Sequence, residues 1–554
     1  MIAGYWSKRS LVERFSLVLI LVYAGIGLYL MVLSPGVPYA DAWRFLAHFL
    51  QRGFPADILT PDNGHHELIP NIVRVIELRL FKANQWLQVG SGIAFLLASV
   101  WFGWKMIREL PASETQIAGL LSLCIGLFWL GNERALSHAN ETVHAYSVVL
   151  FLVYGIALLT AADLRPGKVV GACACGLAAA FSFGSGIAVF GGFAAVLLVR
   201  RAGVTPWLVL ITGALLTLVL LHLTGDSSGA LLFRPGHQLF SLVSWLSGPA
   251  IYVGWPMLDS EVANNLPGHL RGIAILIAAA YQEMFGSVML PRWPHFLLGL
   301  LGGCWYCLEL WKAWKAPSRV SSLGLGLSSF ALTVAALIAV VRFPYLQSHP
   351  DQLLAPRYVV WSSLFWSGLL LALVGRPLAW TRSAAFVLAT ALLLLPSEVW
   401  MWRLAEGLRT TATRNALAAT MGIVDAEEGQ GESAPGDIAK AIPLLKGANA
   451  AMFADQAPHW LGHSWLDSPE SRSEAYAESV LPVQNLIGAS GRKVTFLLRS
   501  NQRRMLLVDP DGVVRGIAMP DPAGRRHQWV GWMMGPLQAG MPRIVEVPAT
   551  DPPH

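Results

Sequence analysis

The stretch YADAWRFLAHFLQRG, Tyr39 to Gly53, follows the first long apolar run and carries a lone acid, Asp41, just ahead of Trp43 and Arg44. An apolar stripe through Leu46, Phe49 and Leu50 marks an amphipathic helix. Two roles fit Asp41. At a membrane boundary it is an interface carboxylate capping that helix. Held in a pocket, it is a general base that takes a proton from an acceptor hydroxyl.

The segment PDNGHHELIPNIVRVIELRLF, residues 61–81, gathers His65, His66 and Glu67, which together with Asp41 or Asp62 have the chemistry of metal ligands. Adjacent histidines on an extended chain point to opposite sides, however, and the i, i+4 spacing of a helical zinc site is missing. No metal ligand is assigned on this pattern, and a divalent metal stays open as a cofactor. The milder reading is hydrogen bonding to a polar substrate such as a sugar. Arg74 and Arg79 follow on an otherwise apolar helix. Either they snorkel to headgroups or the guanidinium fork of Arg74 holds a phosphate.

Two further loops carry polar side chains next to apolar runs. NERALSHANETVHA, residues 132–145, holds Glu133, Arg134, His138, Glu141 and His144, as a solvated loop or as part of a polar site. In RFPYLQSHPDQLLAPRY, Arg342 ends one apolar run and Arg357-Tyr358 opens the next. These are plain boundary residues or contacts to a lipid headgroup or diphosphate. Glu283, near the end of another run, is an interfacial or an intramembrane acid.

What positions these residues is a membrane scaffold. The chain has 554 residues, 54% hydrophobic and 13% charged, with a mean hydropathy of +0.51. Soluble domains average about 25% charged residues, so this is a polytopic membrane protein. Candidate spans are 15–34, 85–106, 115–131, 145–162, 167–183, 185–200, 206–224, 238–258, 268–289, 295–313, 322–343, 358–375 and 382–402. That makes about eleven to thirteen crossings, since the short or interrupted pairs 167–200 and 238–289 also fit re-entrant segments. With the N-terminus cytoplasmic, the predicted inside loops hold Lys8, Arg9 and Arg14; Lys105 and Arg108; Arg165 and Lys168; Arg200 and Arg201; Lys312, Lys315 and Arg319; Arg376 and Arg382. Each is basic, as the positive-inside rule requires; only the loop at 259–267 is not. The net charge of +6 is thus spent on topology and does not point to nucleic acid. The basic N-terminus and long run 15–34 read as a retained first helix.

The tail is a different material. Residues 1–403 form the membrane domain, with a first extracytoplasmic loop at 35–84, and 404–554 form a soluble domain on the outer face. Residues 435–485 read as mixed helix and loop; RKVTFLLRS, RMLLVDPDGVVRGIAM and RIVEVPA read as strands, with Asp-Pro-Asp-Gly a turn. The expectation is a small α+β or β-rich domain of ~130 residues. The loops 35–84, 132–145 and 342–358 face the same side as this domain, so the polar candidates converge on one face. All five cysteines, Cys124, Cys173, Cys175, Cys304 and Cys307, lie in apolar segments and read as small thiols packing between helices.

Several chemistries find no motif. There is no Walker sequence, and FSFGSGIAVFGG, residues 181–192, lacks the preceding strand of a nucleotide loop; small residues in an apolar run permit close helix packing. A nucleotide-driven pump is disfavoured, and any transferase here takes its activated donor from the membrane.

In order, the acidic YADAWRFL after the first span, the Asn-x-His element NGHHELIP leading into a helix with Arg74, the FSFGSGIAVFGG span and APRYVVWSSLFWSGLLLAL resemble the integral-membrane glycosyltransferases of the GT-C class, in a bacterial branch with a soluble tail. The resemblance covers roughly residues 15–402. It implies a many-helix fold whose first large extracytoplasmic loop carries the catalytic acid. It also implies a sugar donor on polyprenyl phosphate, a glycan or lipid acceptor, and residence in a bacterial inner membrane with the C-terminal domain periplasmic. Carried over, Asp41 takes the base position, His65 matches the Asn-x-His element and Arg357 the Arg-Tyr element that contacts donor phosphate. Ala42 and Trp43 stand where many relatives carry a second acid, which weakens a metal-dependent version.

The expected activity is sugar transfer with Asp41 as base. Arg44, His65, His66, Glu67, Arg74, Glu141, His144, Arg342, Arg357 and Tyr358 would serve the donor and substrate. Trp43 and the apolar stripe would seat the loop helix in the membrane interface. The rivals are a transporter or flippase for a lipid-linked sugar and a non-catalytic component of envelope-polysaccharide assembly.

Overall fold

The computed structural model describes residues 9–548 except 63–64, 225–233, 255–266, 287–290, 377–379, 429–432, 466–472, 489 and 536–540. Asn63 of the Asn-x-His element, Lys8 and nearly all of the 259–267 loop lie outside the described residues. The chain divides into two compact units: residues 1–33, 61–70 and 89–405 make the first, and 34–60, 71–88 and 406–554 the second.

The first unit is helical. Among the described residues, eight helices are long and apolar enough to cross a bilayer, and Pro166–Ala180 and Gly184–Val199 are shorter apolar ones. This is a multi-pass membrane protein. The helix Leu11–Val32 starts where Ser10 Oγ accepts from the Glu13 N–H at 3.2 Å and the Glu13 carboxylate accepts from the Ser10 N–H at 2.9 Å. This reciprocal box satisfies two of the amide donors that a helix start leaves open. The helices Arg319–Val341 and Val359–Val374 touch at Gly324 and Gly368, where a Cβ on either would run into the other's carbonyl oxygen. Small residues here let the backbones approach. Ser328 Oγ then donates to the Phe365 carbonyl at 2.8 Å, and Ser367 Oγ to the Ser122 carbonyl at 2.7 Å.

Two of the expected spans are broken. Over the described part of 238–258 lie two short helices, Pro235–Trp245 and Gly248–Gly254, parted by Leu246 and Ser247. The described part of 268–289 gives a 14-residue helix, Gly268–Tyr281, and a single π turn, Gln282–Gly286. Glu283 stands exposed in that turn. Cys124 and Cys175 are buried and Cys173 half-buried, but Cys304 and Cys307 lie on an exposed helix face, so the packing role expected for all five fails for that pair.

The second unit holds a seven-stranded antiparallel sheet in the order β1-β7-β4-β5-β6-β3-β2. Its strands are β1 Ser473–Tyr476, β2 Ser479–Val483, β3 Gly491–Leu497, β4 Met505–Val508, β5 Val514–Pro520, β6 Gln528–Met534 and β7 Arg543–Glu546. The Asp-Pro-Asp-Gly turn joins β4 and β5 as expected, with Gly512 at φ 83° and its N–H bonded to the Asp509 carbonyl at 2.9 Å. Strand β6, QWVGWMM, had no sequence signal: five consecutive residues are buried, so neither face shows the alternation that marks a half-wet strand.

Helices cover part of this unit. Trp43, Leu46 and Ala47 pack with Ala416, Ile438, Ala441 and Leu445. Trp43 is only 1% exposed, so the stripe expected to rest in the membrane interface is spent on protein. The reason is the partner helix Pro435–Gly447, which turns Ile438, Ala441 and Leu445 inward.

Candidate functional site in the first unit

The segment 61–70 places the site. Asp62 and His65 exchange two backbone hydrogen bonds, 3.0 and 2.8 Å, which turns the chain so that His65, His66 and Glu67 follow in sequence. The Ile69 N–H then bonds to the Phe181 carbonyl at 3.2 Å. Phe181 lies at the break after Pro166–Ala180, where Phe183 is extended and a short 3₁₀ turn begins at Gly184. The motif FSFGSG therefore does more than pack helices: it docks the histidine segment.

His65 sits at the centre. Arg342 Nη2 lies 2.7 Å from His65 Nε2, and Arg342 Nη1 lies 3.4 Å from the Tyr358 hydroxyl. A guanidinium only donates, so Nε2 must accept and the neutral ring carries its proton on Nδ1. Burial, and after it the Arg342 charge, push the His65 pKa down to about 4. His66 makes a separate pair, Nε2 to the Thr224 hydroxyl at 3.3 Å, and burial lowers its pKa too.

Behind them runs a buried polar chain. His144 Nε2 is 2.9 Å from Glu141 Oε2 and its Nδ1 is 3.8 Å from Glu67. Arg134 Nε donates to Glu141 at 3.1 Å. The Phe183 ring lies parallel to His144 at 4.2 Å and tilted against His65 at 5.4 Å. Arg134 supplies the buried Glu141 carboxylate with a counter-charge, as burial of an ionised group demands.

A cavity of about 430 Å³ opens on this cluster. One end carries His65, His66, Arg342 and Tyr358; the wall is apolar, from Leu218 and Leu221 on one helix and Val334, Leu337, Ile338 and Val341 on another. Phe183, Trp361, His222 and Ser185 also line it. A cation at one end and aliphatic side chains along the rest suit an anionic head with a hydrocarbon tail.

The sequence candidates thus sort by unit. His65, His66, Glu67, Glu141, His144, Arg342 and Tyr358 come together in the first. Arg357 is close by, but its Nη2 donates to Gln352 at 2.8 Å. Asp41, Arg44 and Arg74 belong to the second unit. There Arg44 Nη1 bonds the Asp41 carboxylate at 2.9 Å, with Asp41 44% exposed, and Asp437 lies 3.8 Å from the same nitrogen. Asp41 holds the N-cap position without making a cap hydrogen bond. Arg74 is buried, donating to Asn71 at 2.9 Å over the Phe45 ring. Arg79 pairs with Asp57 at 2.6 Å.

Sequence reasoning missed Phe183, Gly184 and Trp361. The extended break in an apolar run, FSFGSG, was the available signal for the first two. Among the described residues, no three of His, Cys, Asp and Glu gather as a metal-binding group.

No protein-family model matches the chain, and no curated protein does. Among solved structures, the crystal structure of the Archaeoglobus fulgidus oligosaccharyltransferase in complex with Zn and sulfate is similar over 72% of this chain and 55% of that one, at 14% identity and a TM-score of 0.33. The chain thus spans little more than half the length of that protein, and a likeness of this size does not establish a shared fold.

Proposed function

We propose that the protein is a membrane glycosyltransferase of the GT-C kind, moving a sugar from a polyprenyl-phosphate donor to a hydroxyl of a glycan or lipid acceptor on the periplasmic side of a bacterial inner membrane. The observation that carries this reading is the cavity with a guanidinium end and an aliphatic wall. Phosphate needs the cation, and a prenyl chain needs the wall.

In the proposed reaction the acceptor hydroxyl gives up its proton to a base, the role that the resemblance assigns to Asp41. The oxygen attacks the anomeric carbon, the bond from that carbon to the phosphate oxygen breaks, and the phosphate leaves with the electron pair. Inversion follows from a single displacement. Arg342, with Arg357 in support, stabilises the charge that builds on the leaving phosphate.

A non-catalytic role in envelope-polysaccharide assembly is favoured by one fact: Asp41 is a single acid already satisfied by Arg44. The variant Asp41→Asn separates the readings. A transferase loses product formation while it still folds and binds prenyl phosphate; an assembly component or a lipid-linked sugar transporter keeps its function.

A further inference from the structure

We propose that Gly184 and His65 are positioning residues, which together hold the Arg342 guanidinium toward the cavity as an anion seat. This rests on the reading of the cavity as the donor site only for the nature of the anion, a phosphate on a prenyl chain.

Four observations carry it. Arg342 Nη2 donates to His65 Nε2 at 2.7 Å, so the imidazole works as an acceptor and is not available as a base at that atom. The opposite edge of the ring is closed by Gly184: a Cβ built there would collide with His65 Nδ1, and only glycine lets the backbone come so near. The remaining freedom, tilting, is limited by the Phe183 ring, which is itself stacked on His144. The Ile69 to Phe181 backbone bond ties the histidine segment to this break. A ring fixed on these sides fixes the donor that it accepts from, and Arg342 and His65 both line the cavity. The glycine of FSFGSG is thereby an element of ligand binding, acting through His65 without touching the ligand.

The test uses the full-length protein in lipid nanodiscs, with farnesyl phosphate and inorganic phosphate as probes. His65→Ala and Gly184→Ala should each weaken farnesyl phosphate about tenfold, the scale of one hydrogen bond to a charged group. The double variant should be no weaker than His65→Ala, because the glycine acts only through the imidazole. Inorganic phosphate should bind far more weakly than the prenyl ester, since it leaves the apolar wall unused. Additive losses, or no loss in either single variant, overturn the proposal; equal binding of the two probes overturns the donor reading.

A second measurement does not depend on ligand or on Gly184→Ala folding. The ¹⁵N signals of His65 should show the neutral ring protonated on Nδ1 alone at pH 7, and Arg342→Gln should release it to a mixture of both tautomers. An Nε2-protonated or imidazolium ring in the wild-type protein overturns the seat, whatever binds. The expected tautomer without farnesyl phosphate binding overturns the donor reading instead, and with it the anion assigned to the seat.

Discussion

Arg342 and His65, 277 positions apart in the chain, meet at 2.7 Å with the guanidinium donating to Nε2. Burial opposes a second proton on the ring, and a permanent cation against that atom opposes it further. The His65 pKa consequently falls from 6.5 to about 4.

A pH dependence follows, with a definite sign. The folded value lies below the unfolded one, so folding favours the neutral ring. This stabilisation is complete above about pH 6.5 and is lost as the pH falls toward 4, amounting to ~3 kcal/mol at most. Thermal melting of the detergent-solubilised protein should therefore drop across that window. His65→Gln, whose amide oxygen accepts from Arg342 without titrating, should flatten the profile.

Asp41→Asn should reduce sugar transfer by about 10²- to 10⁴-fold, the usual contribution of a positioned base. Its carboxylate is nearly half exposed, so the fold should survive. The measurement is turnover of a prenyl-phosphate sugar beside a melting curve; undiminished turnover rejects Asp41 as base.

In the sheet unit, Arg492 is fully buried and Arg492 Nη2 donates to Asp509 at 2.6 Å, while the more exposed Arg515 reaches the second oxygen at 2.8 Å. Removing Asp509 deprives a buried cation of its carboxylate, and Asp509→Ala should cost ~3–5 kcal/mol. Arg515→Ala, more than a third exposed, should cost under ~1 kcal/mol. Denaturant unfolding followed by the fluorescence of Trp529 and Trp532 would rank the two; equal losses would contradict the asymmetry.

Trp43 offers a packing test. Buried with Ile438 and Leu445, it should behave as a core residue: Trp43→Ala should destabilise by ~3–5 kcal/mol. A tryptophan anchored in lipid would instead leave denaturant stability nearly unchanged.

Much of the fold could be read from local patterns. A hydrophobic run long enough to cross a bilayer needs no partner to be recognised, so helices such as Leu11–Val32 and Arg319–Val341 stand within a few residues of expectation. The same holds for the turn at Asp509–Gly512, where a glycine at φ 83° closes a hairpin between adjacent strands. The broken span at Leu246 and Ser247 was harder, because apolar composition alone does not say where a helix stops.

Sequence by itself determined which segments are apolar enough for a membrane, that the tail builds strands, and which residue types bear charge beside the apolar runs. Tertiary structure alone decided which of those charges meet. His65 finds Arg342, and Glu67 and Glu141 flank His144, whereas Asp41 finds Arg44 one helical turn away. It also decided that the amphipathic stripe of Trp43 faces protein, and that a glycine read as helix packing lies against an imidazole. The physical reason is range. Hydropathy and turn preference act over a few neighbouring residues, but a hydrogen bond between distant side chains depends on how the helices between them pack, and that is a property of the whole chain.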